Sequence, residues 1–336
     1  MPTQPSSPSE AGSGPRVRRL TPGAILDVFA RTRELTILVI IIITMIVMSN
    51  LNQYFLTPSN FRAMAIGFAP TAIIAVGMAV LLVSGGFDLS VGAVLALSGT
   101  VVAKLMLAGL SQPLAILAVL IMGGFIGLIN GLLVTKVGVN PLVATLGTLS
   151  VARGISLVLT EGYSVIGLPT SFGAVGSESL FGVPYMVVIM LVIVLVGDLM
   201  LRHTRFFRQV YYIGSNETSA RLSGIPVDRV KIFTYMLTAV LSALSGVLLA
   251  SRLMAGTPTA ASGMELQVLA ASVIGGASLT GGEGSVLGAF LGVVFVGMIS
   301  NAMTMLAVSI YWQQVVTGVI LIAAVAIDML IRRRSI

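Results

Sequence analysis

Few residues in this 336-residue sequence could perform chemistry at a catalytic site. There is no cysteine, which excludes disulfides, thiolate metal sites and a cysteine nucleophile. His203 is the one histidine, and a single histidine cannot form a metal site or a catalytic pair within one chain. No Gly-Lys dipeptide occurs, so the phosphate-binding loop of nucleotide hydrolases is missing. We therefore predict that the chain is not an enzyme and holds no metal or cofactor of its own.

Ionisable residues are scarce within the apolar segments. Asp88, Glu265 and Glu283 fall at predicted segment ends, whereas Arg153 falls inside a segment. Because a charge within a bilayer is costly, Arg153 is a candidate for a transport pathway. The alternative is a structural tie from Arg153 to a carboxylate or to carbonyls at a helix end. An ion-coupled transporter would need more intramembrane carboxylates, so the energy for transport comes from elsewhere or the pathway is passive.

The composition indicates a membrane protein. Hydrophobic residues make up 56% of the chain and charged residues 9%, against about 25% charged residues in soluble domains. This excludes a soluble enzyme, a nucleic-acid binder and a disordered scaffold. The net charge of +7 then indicates orientation rather than a polyanionic partner, because Lys and Arg collect in cytoplasmic loops.

Apolar segments separated by turn residues predict an all-α polytopic fold with about ten transmembrane helices. The predicted spans are 35–48, 61–84, 90–109, 113–134, 141–160, 183–201, 232–251, 265–279, 284–306 and 311–331. The tight connection 85–89 and the short span 265–279 could instead be re-entrant or broken helices. Asn140 is a predicted cap for the fifth span, with Pro141 at its first helical position.

The chain divides into three predicted regions. Residues 1–33 predict a disordered cytoplasmic tail, 34–331 a transmembrane domain, and 332–336 a basic cytoplasmic end. With the N-terminus in the cytoplasm, 15 of the 19 Lys and Arg residues fall on the cytoplasmic side. The loop 202–231 holds the most of them. This distribution supports ten spans and places both termini in the cytoplasm.

Glycines recur every fourth residue in two of the spans. They are Gly123, Gly127 and Gly131 in the fourth span, and Gly284, Gly288 and Gly292 in the ninth. Such stripes let helices approach closely in lipid and are candidates for helix packing. Because these two spans cross the membrane in opposite directions, they suggest an inverted repeat of spans 2–5 and 7–10. A competing match of Gly85–Leu95 with Gly281–Leu291 implies a parallel relation, so both arrangements stay open.

The basic cytoplasmic loop contains one segment with helix signals. Ser215 or Asn216 can cap a helix whose first turn contains Glu217, and Gly224 with Pro226 can end it. A helix of about eight residues is too short to be stable alone in water. It must therefore rest on its own bundle or be presented to a cytoplasmic partner.

Five stretches carry a resemblance to a known family. They are Phe55–Phe61 (FLTPSNF), Gly85–Gly92 (GGFDLSVG), Asn140–Gly147 (NPLVATLG), Gly214–Ile225 (GSNETSARLSGI) and Val273–Gly284 (VIGGASLTGGEG). In this order and spacing, the sequence resembles the ribose-type monosaccharide permeases of bacterial ABC importers over nearly all of residues 50–331. A small departure is Phe87, where the family often has Ile or Val.

The resemblance implies a transport subunit of the bacterial plasma (inner) membrane. It implies three kinds of partner: a second permease chain, identical or related; a cytoplasmic ATPase subunit that binds ATP; and a periplasmic or surface-anchored sugar-binding protein. The positions that match the family's ATPase-coupling helix are Asn216, Glu217, Ala220 and Gly224. Further candidates, for translocation or gating, are Gly86, Asp88, Ser90 and Arg153.

The function expected from the sequence is import of a monosaccharide, ribose-like or another sugar. Within the same family the solute could instead be a furanone signal or a polyol. An ion-coupled secondary transporter is a further alternative that predicts buried carboxylates. An integral-membrane enzyme would need a cluster of His, Cys or paired carboxylates. Neighbouring genes for an ATPase and a binding protein would distinguish an ABC permease from a secondary transporter or channel and from a membrane enzyme.

Overall fold

The computed structural model describes residues 33–333, which form helices throughout and one small β-hairpin. The predicted tail 1–33, apart from Arg33, lies outside the described residues. The predicted basic end 332–336 lies outside them from residue 334 onward.

The helices of the first half run in chain order as follows: α1 (Arg33–Leu51), α2 (Pro58–Val83), α3 (Val91–Leu107), α4 (Gln112–Leu132), α5 (Pro141–Thr160) and α6 (Thr170–Ser177). A π-helical turn, Leu133–Val137, extends α4. The second half contains α7 (Tyr185–His203), α8 (Arg205–Ser215), α9 (Glu217–Leu222), α10 (Val227–Leu253), α11 (Met264–Ile274), α12 (Val286–Met305) and α13 (Ile310–Arg333).

Seven helices of the described residues are long and apolar enough to cross a membrane: α1, α2, α4 with its π-helical turn, α5, α7, α10 and α12. The chain is therefore a polytopic membrane protein, as predicted. The other three predicted spans correspond to shorter apolar helices, in α3, α11 and the first part of α13. A count of ten spans is thus not confirmed.

Helix α11 differs most from its prediction. The apolar composition of 265–279 predicted a helix to residue 279, but α11 ends at Ile274 and has 11 residues. Gly276 has a φ of +94°, a conformation that ends a helix and that glycine adopts without strain. At 1.5 Å per residue α11 is about 16 Å long, roughly half the thickness of the hydrocarbon core.

The segment between α5 and α7 contains structure that the all-α prediction missed. Strands β1 (Ser179–Leu180) and β2 (Val183–Pro184) pair antiparallel. Phe181 and Gly182 form the two-residue turn, and both have positive φ values, of 50° and 84°. This is the turn geometry that matches the twist of a hairpin. Helix α6 precedes the hairpin and was also not predicted.

Helices α2 and α10 form the centre of the bundle. Side chains on every face of the second half of α2 are buried, including Ile73, Ile74 and Met78. A helix that is buried all round lies inside a bundle rather than against lipid. Helix α10 packs against α2, α3 and α4. The other helices are therefore arranged around this pair.

The glycine stripe of α4 lies against α10. A Cβ atom at Gly123 would lie 2.6 Å from the Cβ of Ala243, and one at Gly127 would lie 2.6 Å from the Cα of Met236. A Cβ at Gly131 would lie 2.8 Å from the Cα of Ile232. The absence of side chains therefore lets the two helix backbones approach each other directly.

The second glycine series packs differently. A Cβ atom at Gly288 would lie 2.2 Å from the carbonyl oxygen of Gly275, and one at Gly292 would lie 1.9 Å from that of Ala271. These two glycines thus face α11 and its end. Gly284 precedes α12, which begins at Val286, and has a φ of +145°. It belongs to a turn rather than to the stripe.

The helix neighbours fall into matching sets. Helix α3 packs against α10, α4 and α5, and α11 packs against α2, α12 and α13. Likewise α4 packs against α10, and α12 against α2. An inverted repeat of α2–α5 and α10–α13 would relate each helix of the first set to the helix in the same position of the second set. The neighbours of α3 and α4 then correspond to those of α11 and α12. The repeat remains a prediction that this packing favours.

We expect Gly127→Ala to destabilise the bundle by about 1–3 kcal/mol, because the new methyl group would overpack the α4–α10 contact. Gly124→Ala is the matched control on the same helix, since its nearest neighbour would be a Val240 methyl at 3.4 Å. The thermal midpoint of the detergent-purified protein measures both. Equal midpoints for the two variants would contradict the close approach of α4 and α10.

Candidate functional site

Helix α8 leads from the membrane bundle into the basic loop. The Thr204 hydroxyl caps it by accepting a hydrogen bond from the backbone N–H of Phe207 at 3.4 Å. Phe207, Val210 and Ile213 recur every third residue and are buried, so α8 rests on the bundle by one face. The sequence analysis missed α8, although this apolar spacing was a usable signal.

Helix α9 is the short helix that the loop sequence predicts. The Asn216 side chain caps it by accepting a hydrogen bond from the backbone N–H of Ser219 at 2.9 Å. It ends where the Gly224 N–H donates to the carbonyl of Arg221 and the Ile225 N–H to that of Ala220. Gly224 has a φ of +79°, as such helix ends require. The cap and the end are confirmed, and the helix has six residues rather than eight.

One side of α9 contacts the protein and the other faces outward. Ala220 is buried, with 4% of its surface exposed, whereas Leu222 is 85% exposed. Leu222 was not among the predicted coupling residues, which came from the family resemblance. An apolar residue on an otherwise polar six-residue helix was the signal that could have identified it. Together, residues 216–224 form what we call the docking segment.

Ion pairs hold the docking segment in place. Glu217 accepts from Lys231 at 2.5 Å and from Arg221 at 3.0 Å. Arg221 also pairs with Asp228 at 2.5 Å, and Asp228 with Lys136 at 2.7 Å. The chain of pairs connects α9 to the first turns of α10 and to the π-helical turn after α4. The six-residue helix is therefore fixed by its surroundings rather than by its own propensity.

The charge of Glu217 contributes to this stability. Partial burial raises the pKa of Glu217, but hydrogen bonds from Lys231 and Arg221 outweigh burial and hold it below its ordinary value. The ionised form therefore stabilises the folded segment above the unfolded pKa of about 4.3. That contribution is lost as the pH falls through the lowered pKa of the folded protein.

Three turns of the backbone meet where α8 joins the docking segment. We call this contact, made by Gly85, Gly214, Gly281 and Gly282, the glycine junction. A Cβ atom at Gly214 would lie 1.9 Å from the carbonyl oxygen of Val83, and the N–H of Gly282 donates to that same oxygen at 2.9 Å. A Cβ at Gly281 would lie 2.9 Å from the Cα atoms of both Gly214 and Gly85. The connections after α2 and after α11 therefore contact the last turn of α8, directly before the docking segment.

A buried polar network lies just beyond the glycine junction. Asp88 Oδ1 accepts from the Ser90 N–H at 2.7 Å and from the Ser90 hydroxyl at 2.6 Å. Asp88 Oδ2 accepts from Asn130 Nδ2 at 3.3 Å, and Asn130 Oδ1 accepts from the Thr148 hydroxyl at 2.5 Å. This Asp88 network joins the connection before α3 to α4 and α5. Its partners come from distant parts of the chain, which sequence spacing could not reveal.

The four translocation candidates lie in two places. Gly86, Asp88 and Ser90 are together and fully enclosed by the bundle. A Cβ at Gly86 would lie 2.9 Å from a Leu81 methyl and 3.1 Å from the hydroxyl oxygen of Tyr235. These three residues are thus placed to fix the connection before α3.

Arg153 lies elsewhere, beside the connection between α10 and α11. Its Nη1 donates to the carbonyl oxygens of Pro258 and Ala260, both at 2.8 Å. This is the tie to backbone carbonyls that the sequence analysis gave as the alternative to a pathway role. The guanidinium therefore satisfies two carbonyls of a non-helical segment.

Comparison with known proteins gives one family. Residues 60–325 match the family described as branched-chain amino acid transport system / permease component. The ribose import permease protein RbsC of Bacillus subtilis (strain 168) is 41% identical over 288 residues, covering 85% of this chain and 89% of that protein. No solved structure matches the chain.

Two further relatives are named for other sugars. The D-allose transport system permease protein AlsC of Escherichia coli (strain K12) is 38% identical over 299 residues, covering 89% of this chain and 92% of that protein. The L-arabinose transport system permease protein AraH of the same strain is 35% identical over 323 residues, covering 96% and 97%. The similarity therefore extends over nearly the whole length of each protein.

We expect Asp88→Ala to destabilise the protein by about 3 kcal/mol or more, because buried donors of Ser90 and Asn130 would lose their acceptor. Ser98→Ala is the control, since the buried Ser98 hydroxyl has no hydrogen-bond partner among the described residues. Thermal midpoints of the purified variants test this. A midpoint for Asp88→Ala equal to that of Ser98→Ala would contradict the role of the network.

Proposed function

The chain belongs to this permease family, and we propose that it is the membrane-spanning subunit of an ABC importer that carries a neutral monosaccharide into the cytoplasm. The docking segment is the observation that carries this proposal. It is a short helix with ion pairs to α10 and an exposed leucine at its last residue, on a chain whose sequence has no nucleotide-binding loop. Such a surface fits a separate ATPase subunit that supplies the energy.

Through the glycine junction, a force on the docking segment could be transmitted to the helices of the bundle. Force applied to α9 acts on Gly214, and from there on the connections that follow α2 and α11. The Asp88 network then links the connection before α3 to Thr148 on α5. In this proposal Asn216, Glu217, Ala220 and Gly224 shape the docking segment, while Leu222 makes the contact.

The arrangement in the membrane is also part of the proposal. Ten membrane segments, counting α3, α11 and α13, would place the docking segment, both termini and 15 of 19 basic residues in the cytoplasm. The paired helix neighbours described above support the inverted repeat. The membrane is the bacterial inner membrane.

A second permease chain, identical or related, would complete the pathway. Helix α5 leaves Gly147 and Ser150 exposed, and a Cβ at Gly147 or Gly154 would meet no atom within 4 Å among the described residues. Small residues on a membrane-facing helix favour close contact with another helix. The α5 face is therefore the proposed contact with the second chain.

The opposite end of the bundle offers a surface for a sugar-binding protein. Phe181, at the tip of the β-hairpin, is 98% exposed, and Tyr163 is 76% exposed. Both residues fall outside the membrane on the side away from the docking segment. Exposed aromatic residues of this kind are enriched in protein interfaces.

The names of the relatives favour a sugar as the solute. A furanone signal or a polyol would need the same neutral pathway. An ion-coupled secondary transporter is less favoured, because the buried carboxylate of Asp88 is held by Ser90 and Asn130 at fixed positions. Dependence of uptake on ATP separates the importer from an ion-coupled transporter, and competition between unlabelled sugars, furanones and polyols identifies the solute.

We expect Leu222→Asp to weaken ATPase association by about tenfold or more, since a buried leucine contributes roughly 1.5–3 kcal/mol. The yield of folded permease should not change, because Leu222 makes no core contact. Phe181→Asp is the matched control at the other end and should leave ATPase association unchanged. Co-purification of tagged permease with its ATPase measures both. Normal association of Leu222→Asp would contradict the docking role.

A further inference from the structure

A cavity of about 690 Å³ lies between α2, the start of α11, α12 and α13. Its volume is within the range of small-molecule sites, about 300–1,000 Å³. Thr71 lies near the midpoint of α2, and Gln314 and Thr317 lie in the first two turns of α13. The cavity therefore occupies the middle and the hairpin-side half of the membrane. None of the four translocation candidates from the sequence lines it.

The lining of the cavity combines apolar side chains, such as Val293, Val296 and Leu321, with uncharged polar groups. It includes the hydroxyls of Thr71, Ser300 and Thr317, the amides of Gln267 and Gln314, and the ring of Phe68. Among the described residues that line it, none is ionisable. Polar side chains at bilayer depth face water or another polar group, because contact with lipid tails would be costly. The hydroxyl and amide side chains of the lining therefore favour a cavity that holds water or a polar solute over one filled by lipid tails.

The connection between α10 and α11 provides a second observation, because its non-helical backbone lies along α3. A Cβ at Gly256 would lie 2.6 Å from the carbonyl of Gly99, and one at Gly92 would lie 2.7 Å from the carbonyl of Ala261. Gly92 and Gly99 are about 10 Å apart along α3. The connection therefore descends along α3, and the short helix α11 begins within the membrane.

Non-helical backbone at membrane depth occurs where it is buried in protein or faces a water-filled cavity. The carbonyls of Pro258 and Ala260 are covered by Arg153. The last residues of the connection, Ser262 and Gly263, line the cavity instead. Backbone outside any helix and the amide side chains of Gln267 and Gln314 therefore line the same cavity.

We propose that this cavity is the site within the permease where a neutral polyhydroxyl solute binds during transport. Amides and hydroxyls both donate to and accept from sugar hydroxyls, and Phe68 offers an apolar ring to the C–H face of a sugar. A charged solute would find no counter-charge in the lining. This inference rests on the proposed function, since it names the place where that solute binds.

Filling the cavity tests the site. Gly67 lines it, and a Cβ there would meet no atom within 4 Å among the described residues. Gly67→Leu should therefore fold normally and reduce uptake at least tenfold. The matched control is Ala63→Leu, which adds a similar side chain one turn earlier on the same helix, exposed and outside the cavity. Its uptake should stay within twofold of the unaltered chain.

The assay uses proteoliposomes with the complete importer and radiolabelled D-ribose, D-allose or L-arabinose. If the unaltered complex imports no monosaccharide from a panel that includes these three pentoses and hexoses, the proposed function is wrong. If it imports one and Gly67→Leu imports it equally well, the cavity is not the site. If Ala63→Leu reduces uptake as much as Gly67→Leu does, the assignment is also wrong, because a larger side chain outside the cavity would then be enough to reduce uptake.

A second measurement does not depend on transport. The chain has no cysteine, so Gly67→Cys introduces a unique thiol. A membrane-impermeant maleimide should label it from the hairpin side, and the transported sugar should slow labelling several-fold. An unlabelled thiol in folded protein would overturn the wet cavity. Labelling that the transported sugar does not slow would overturn the binding site.

Discussion

Peptide groups inside a bilayer have no water to bind, so each place where this chain unwinds within the bundle must supply its own partners. The connection before α11 is held by Arg153 and by paired backbone bonds between Val165 and Gly256. The turn after α11 donates from Gly282 to Val83. These bonds permit α11 to be only half as long as the membrane is thick. Full-length helices therefore do not fill the whole interior, and a cavity remains at the start of α11.

The same unwound segments connect the glycine junction at one end of the bundle with the cavity towards the other end. Gly214 lets the last turn of α8, directly before the docking segment, contact the connections after α2 and α11 through backbone atoms. The Asp88 network then fixes the connection before α3 to α4 and α5. Helix α11 lies between the glycine junction at one end and the cavity at the other. In the proposed importer, a displacement of α9 by the ATPase would therefore reach the cavity through α8, the junction and α11.

The sequence predicted what local signals determine. Apolar segment length identified the long helices, and the caps Asn140 and Asn216 were identified because an Asn side chain closes its own helix within three residues. The partners of Asp88 and Arg153 could not be predicted, since Asn130 and Pro258 meet them only after folding. The end of α11 was misjudged because its glycines sit in apolar sequence. The hairpin turn at Phe181 gave little hydrophobic signal, since its strands have two residues each.

The glycine junction also has a meaning for how such transporters diversify. A Cβ atom at Gly214 would lie 1.9 Å from the carbonyl oxygen of Val83, so backbone alone makes this contact. Because no side chain takes part, this contact does not depend on which solute the permease carries. In the proposed importer, the glycine junction could therefore serve permeases for different solutes, whereas substitutions around Gln267 and Gln314 in the proposed solute cavity would change what is carried. Chimeric permeases that exchange these two regions would then keep their coupling to the ATPase and take the specificity of the parent that supplies the cavity.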